Sequence, residues 1–257
     1  MDSPSGGRAV REPQPKRGRL LVGLALLLGL ACLFGIYRSP LFRLSTVEIN
    51  GTNRLSDARV MALAGLSPGV LRFEHSPATI VQRLQADPWV ASASAVWHGT
   101  NQLQIDLVER QPVGMIKYYD VHYLLLDDTG LILAEEDLKG GHLPVISGMQ
   151  VTKAVRGQRL SNPGAMDALA VLSRMAPSLQ AEVSEVSVDG DRSLTMYLNG
   201  GATVLWGEVP EGGDRTTVIE QKIKDFGGFW LTAQKKQSNT CRIDLRVDGK
   251  VIDSGCR

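Results

Sequence analysis

The sequence predicts an α+β protein: a single transmembrane helix, then a β-α-α-β-β domain, then a mixed β domain with a few helices. Three observations predict it. Residues 20–37 run eighteen positions without a charge. As a helix rising ~1.5 Å per residue this run reaches about 27 Å, close to the ~30 Å hydrocarbon core of a bilayer. Residues 42–111 read strand, two short helices, strand, strand from their apolar periodicity. Residues 112–257 place short apolar runs between Asp-Gly and Asn-Gly turn signals, the pattern of hairpins. The chain therefore divides into a tail (1–19), a span (20–37), a first domain (42–111) and a second domain (112–257).

The span is justified by hydrogen bonding. In lipid a lone segment satisfies its own backbone only as a helix. Arg8, Arg11, Lys16, Arg17 and Arg19 precede it, while only Arg38 and Arg43 follow closely, so the basic side, and the N-terminus, is cytoplasmic. A cleaved signal peptide competes with this reading, but the apolar run is too long and no small-x-small site follows. A lipoprotein signal competes through Ala31-Cys32, but Gly29 stands where Leu is expected and the apolar run continues to Tyr37. The tail, rich in Pro, Gly, Ser and Arg, has too little apolar content to bury and reads as disordered.

Ser39-Pro40 ends the span. Leu44, Val47 and Ile49 open a strand that stops at Asn50-Gly51. Ser56 is an N-cap with Leu55 and Val60 at staple spacing, and Gly65 closes that helix. Ser76-Pro77 starts a second helix that ends before Asp87-Pro88. Ala91, Ala93, Ala95 and Trp97 alternate along one strand, small enough for helices to sit close; Leu103, Ile105 and Leu107 alternate along the next. In the second domain strands are predicted at 113–119, 123–126 and 131–133, around the turn Asp127-Asp128-Thr129-Gly130. Asn162-Pro163 starts a helix ending before Pro177. Val183, Val186 and Val188 lead to a turn, and 194–198 pairs with 203–206 across Asn199-Gly200-Gly201. A long helix over 215–235 carries Ile219, Ile223, Phe226, Trp230 and Ala233 on one stripe; Gly227-Gly228 costs about 1 kcal/mol each relative to Ala, and a stop at Phe226 is the competing reading. Asp248-Gly249 predicts a two-residue type I′ hairpin between 241–247 and 250–253. In that register paired numbers sum to 497 and Cys241 faces Cys256 at disulfide distance, so a bridge closing the hairpin is expected, with two reduced thiols on a fraying terminus as the competing reading.

Net charge is +1 and no basic cluster follows the span, which excludes nucleic acid as a partner. No Cys-x-x-Cys pair and no clustered His exist for a metal. Asp128-Thr129-Gly130 after three leucines is similar to the loop of retroviral-type aspartic proteases, but a second loop to share a proton is missing and a plain hairpin turn is the stronger reading. Acyltransferase, zincin and phosphate-loop motifs are absent. His75 and His98 read as surface residues near turns, and His122 and His142 as loop residues without a nucleophile. The sequence thus points to a binding protein, not an enzyme, with no cofactor and no small-molecule substrate.

Val47-Glu48-Ile49-Asn50-Gly51, the paired short helices, Asp87-Pro88-Trp89-Val90 and the exit Val108-Glu109-Arg110-Gln111-Pro112-Val113 resemble a POTRA domain. Glu109 and Arg110 are family markers here, or otherwise a solvated strand end. Leu143 through Gly148 and Ile243-Asp244-Leu245-Arg246 resemble segments of the second domain of the bacterial FtsQ/DivIB cell-division family. His98-Gly99-Thr100 and the two late cysteines depart from that pattern. The resemblance implies an inner-membrane, single-pass division scaffold at the septum, with its domains in the periplasm. Its partners would be FtsB- and FtsL-type division proteins. Strand addition at the last hairpin is the expected contact: Ile243, Asp244, Leu245, Arg246 and Val247, then Asp248 and Gly249, then Lys250, Val251 and Ile252. A secretion or outer-membrane assembly factor is the alternative, since those also use POTRA domains, but they carry several, with a barrel.

Overall fold

The computed structural model describes residues 17–37, 39–119, 122–137, 143–151, 153–235, 240–247 and 249–255. Residues 1–16 of the predicted disordered tail, His142 and Cys256 lie outside the described residues; Arg17 to Arg19, placed in that tail, are instead the first residues of a helix. Helix α1 (Arg17–Tyr37) has 21 residues. Its side chains are described at 21–35 and 37, and among the described residues no helix is long and apolar enough to cross a membrane.

A 310 turn, Pro40–Phe42, follows at once. Ser39 caps it by accepting the Leu41 N–H. The chain then enters the first domain: β1 (Thr46–Asn50), α2 (Asp57–Ala64), α3 (Pro77–Gln85), β2 (Val90–His98) and β3 (Gln102–Glu109). Local chemistry sets the helix ends. Ser56 Oγ accepts from Arg59 N and Ser76 Oγ from Thr79 N, while Gly65, at φ 71°, supplies the left-handed C-terminal turn. The sheet order is β1-β3-β2, with β1 parallel and β2 antiparallel to β3. Leu103, Ile105 and Leu107 of the central strand are buried with Val60, Ile80 and Leu84 from the helices. Ala93, Ala95 and Trp97 face that core, but a bulge between Val90 and Ser92 throws Ala91 out to solvent.

The second domain is one nine-stranded sheet. In chain order it comprises β4 (Gly114–Tyr119), β5 (His122–Leu126), β6 (Ile132–Asp137), β7 (Val145–Ser147), α4 (Pro163–Leu172), α5 (Pro177–Gln180), β8 (Val183–Val188), β9 (Leu194–Leu198), β10 (Thr203–Gly207), α6 (Arg215–Lys235), β11 (Thr240–Asp244) and β12 (Ile252–Gly255). Across the sheet the order is β12-β11-β10-β9-β8-β7-β4-β5-β6. Three-residue β7 joins the two halves, parallel to β4 on one side and to β8 on the other. α4 and α6 cover one face with Ala168, Leu169, Leu172, Ile219 and Phe226, all at most 1% exposed. α6 runs unbroken through Gly227-Gly228: burial of Phe226 and Ala233 on either side offsets the roughly 2 kcal/mol those glycines cost.

The β4-β5-β6 end is buried on both faces, which explains the unbroken run Leu124-Leu125-Leu126. Leu124 and Leu126 point to the helices; Leu125, with Met115 and Leu133, packs against Trp89 and Leu55 of the first domain. Charged side chains clasp the same junction. Buried Asp87 receives Arg59 and Arg156, and Arg54 lies 4.2 Å over the Trp89 ring while pairing with Glu136.

Two expectations change, and the competing reading of Glu109 and Arg110 as a solvated strand end fails. Glu109, 9% exposed, accepts the backbone N–H groups of Asn53, Arg54 and Leu55, and Arg110 pairs at 3.0 Å with Asp127, which is 1% exposed. Burial raises the Glu109 pKa, but the three N–H donors outweigh it and hold the carboxyl below its ordinary value. His122 is not a loop residue: it opens β5, within 3.4 Å of Glu135 and Asp137 across β6, which is longer than the 131–133 strand predicted. The terminal hairpin also changes register. Arg242 pairs with Ser254, Ile243 with Asp253 and Asp244 with Ile252, one residue off the expected alignment. The reason lies outside the hairpin. Leu245 donates its N–H to Leu205 O at 2.9 Å, following β10 and entering the core at 2% exposure, so β11 stops pairing with β12 at Asp244. Inside the longer connection Lys250 N donates to Val247 O and Gly249 stands at φ 64°.

Candidate functional site

β12 is an edge strand, and all four of its residues are exposed. β11 is not an edge, since it is flanked by β10 and β12. Within the terminal hairpin, the backbone available to another chain is therefore that of β12. The Leu245–Leu205 bond tells which groups are free. Along β11, residues of odd number turn their N–H and C=O toward β10, and those of even number toward β12. Asp244 and Arg242 thus engage Ile252 and Ser254, and the backbone N–H and C=O of Asp253 face outward.

Of the residues expected to form the contact, Ile243 and Leu245 lie in the core at 0% and 2% exposure. They position the edge and offer no side chain. Arg246, Val247, Gly249, Lys250 and Ile252 are exposed, Asp244 and Val251 half-buried, and Asp248 lies outside the described residues. Asp253 and Ser254 escaped sequence reasoning because a hairpin centred on Asp248-Gly249 put the last strand too early.

Asp244 and Arg246 brace the start of the connection. The Asp244 carboxylate accepts from Arg246 N at 3.0 Å and from the guanidinium at 2.6 and 3.0 Å. The Arg246 side chain, ahead of a smaller opposing effect of burial, holds the Asp244 pKa down at about 2. A carboxyl whose folded pKa lies below its unfolded value adds stability above pH ~4 and loses it as pH falls through the folded value. Arg246→Ala is expected to return the Asp244 titration toward 3.8, measured by carboxyl NMR across pH 1–6. An unchanged midpoint would show that Arg246 is not its cause.

Beside this brace a groove of about 520 Å³ is lined by Asp191, Ser193, Glu208, Lys222 and Arg246. Both charge signs are present there. No group of three or more His, Cys, Asp or Glu able to hold a metal occurs among the described residues. In the loop 127–130 it is Asp127 that is buried, receiving Thr129 N, Thr129 Oγ1 and Leu131 N, whereas Asp128 is exposed. That carboxylate builds a turn. Cys241 is disulfide-bonded and Cys32 carries a free thiol.

Two family models match. "POTRA domain, FtsQ-type" covers residues 42–110 and "Cell division protein FtsQ/DivIB, C-terminal" covers residues 117–246. Among curated relatives, FtsQ of Syntrophotalea carbinolica is 28% identical over 69% of this chain and 64% of its own length. DivIB of Staphylococcus aureus strain MRSA252 is 26% identical over 83% of this chain and 46% of its own. The chain thus spans less than two thirds of the length of these relatives. The solved extracytoplasmic domain of DivIB from Geobacillus stearothermophilus superposes loosely, with a TM-score of 0.32 at 17% identity, over 49% of this chain and 92% of that one. With both of its domains matched in order, the chain belongs to the FtsQ/DivIB family of cell division proteins.

Proposed function

We propose that this cell division protein is a non-enzymatic, membrane-anchored scaffold that binds FtsB- and FtsL-type partners by adding a partner strand to β12. The observation that carries the reading is the bare edge of β12: outward N–H and C=O groups on an exposed strand at one end of the nine-stranded sheet, whose other end is β6. Each added backbone bond nets only ~0.5–1.5 kcal/mol, so specificity must come from side chains. The mixed-charge groove beside Arg246 can supply it. The anchor is supported by a 21-residue helix about 31 Å long, whose sequence is uncharged from Leu20 onward and whose described side chains are exposed leucines and small residues with Val22, Phe34 and Tyr37. On this reading the basic residues before it keep the N-terminus cytoplasmic and leave the two units, 42–111 and 112–257, in the periplasm, and the family likeness supports the septum as their location. That compartment permits disulfides, and we take Cys256 as the partner of Cys241.

Asp253→Pro tests the edge. It removes an outward N–H and leaves the bonds to β11 in place. Affinity of the purified full chain for an FtsB-type ectodomain is expected to fall about tenfold or more, equal to ~1.4 kcal/mol. Unfolding stability should stay within about 1 kcal/mol, and Asp253→Ala should bind normally. Equal affinity in a folded Asp253→Pro chain would overturn strand addition at β12.

A further inference from the structure

The first domain is joined to α1 without a linker. Tyr37, the last residue of the helix, stacks on Phe73 with ring centroids 5.4 Å apart, and Phe42 packs on the same ring at 5.2 Å. The intervening chain is stitched into the domain: Arg43 bridges Leu71, Leu44 N donates to Val70 O, and Gly69 N donates to Leu44 O. Ser39 to Leu44 therefore cannot pay out as a tether. Wherever the end of α1 sits, the 310 turn at Arg72–Glu74 sits beside it.

The surface at this level is apolar and aromatic, which is unusual for a face with nothing packed on it. Phe73 is 52% exposed, Leu41 68%, Val96 49% and Tyr37 43%. A groove of about 530 Å³ opens between Phe73, Pro77, Val96 and Trp97. Arg72 lines it, 5.6 Å over the Trp97 ring and donating to Gly99 O, and His75 lines it too; Glu74, next to Phe73, is exposed. Arg43, bridged to Leu71 next to Arg72, is exposed, and neither arginine makes an ion pair among the described residues. Aromatic rings with adjoining arginines at the end of an apolar helix match the chemistry of the bilayer interface, where rings lie among the headgroups and guanidinium groups meet phosphates.

We propose that Tyr37, Leu41, Phe73 and Val96, flanked by Arg43 and Arg72, seat the first domain in the headgroup layer of the membrane that α1 enters, fixing its orientation to the lipid. This rests on the anchor reading of α1. The seat sets the direction in which the whole molecule projects, because the Trp89 junction joins the first domain to the sheet that ends in β12.

The test places benzoylphenylalanine, a photo-crosslinking residue, in the full chain reconstituted into vesicles of mixed zwitterionic and anionic phospholipid. Position 33 in α1 reports the anchor, positions 73 and 41 the seat, and position 197, exposed on β9, serves as a remote control. Lipid adducts, read by mass spectrometry, are expected at 33, 73 and 41 and absent at 197. Combining Arg43→Glu with Arg72→Glu should lower the adduct at 73 by about threefold or more and leave that at 33 unchanged. Adducts at 33 without any at 73 or 41 would overturn the seat and leave the anchor standing. Adducts at none would remove the anchor and the seat together. Capture of protein instead of lipid at 73 would overturn the seat in favour of a protein partner. Should substitution at 73 prevent folding, position 41 decides.

Discussion

Gly148→Ala is expected to lower the unfolding free energy by about 3–5 kcal/mol, a large share of the ~5–15 kcal/mol typical of a folded domain. Gly148 follows β7 at φ 86°, a conformation that costs a side-chain-bearing residue ~1–2 kcal/mol by itself. A Cβ there would stand 2.0 Å from the backbone oxygen of Val188, the last residue of β8. Backbone cannot rotate away as a side chain can, so the β7–β8 pairing must open. β7 is three residues long and is the seam between the two halves of the nine-stranded sheet. The same substitution should therefore loosen β12 from the first domain and weaken partner binding. Urea unfolding of the full chain measures the first effect; at ~2–4 °C per kcal/mol the midpoint on heating should drop by about 10 °C. A loss under about 1 kcal/mol would mean that the β7–β8 seam can shift without breaking.

Asp167→Ala is the second large effect, expected at about 3 kcal/mol. The carboxylate is 1% exposed on α4. Arg192 donates to its Oδ2 from Nε at 2.9 Å and from Nη2 at 2.6 Å. Arg215 brings Nη1 to 2.7 Å from Oδ1, off the axis of a hydrogen bond, so that attraction is ionic. One buried anion thus ties the β8–β9 turn and the first residue of α6 to α4. It also holds Arg192 at φ 67°, left-handed backbone that a non-glycine residue adopts at a cost. Without the carboxylate, Arg215 loses its buried anion and Arg192 keeps only the exposed Glu211, so less holds its strained backbone. Asp167→Asn keeps the shape and one acceptor, so its loss should be smaller. Urea unfolding of the three proteins checks the order; an Asp167→Ala chain within 0.5 kcal/mol of the parent would refute the clamp.

Much of the fold was legible because its signals are local. Ser56 and Gly65, or Ser76 and Pro77, mark helix ends through bonds made within three or four residues, and α6 begins and ends where its apolar stripe does. Asn199-Gly200-Gly201 foretold the β9–β10 hairpin for the same reason. Asp248-Gly249 carried an equally good turn signal, but the strand register beside it did not follow. A partner far along the chain, Leu205, claims Leu245 first. Nothing local to Glu109 or Arg110 shows that they are held, because their partners, the 53–55 backbone and Asp127, lie on other elements.

The sequence by itself determined most helices and strands, though not short β7 and α5, as well as the apolar helix before the first domain and the family to which the chain belongs, since each depends on neighbours in the chain or on motif identity. Only the tertiary structure decided that Asp253, and not the buried Ile243 or Leu245, turns bare backbone to solvent, and that the first domain rests against the end of α1. The physical reason is that strand order and side-chain burial are settled by contacts between residues distant in sequence, and no local preference records which of those contacts wins.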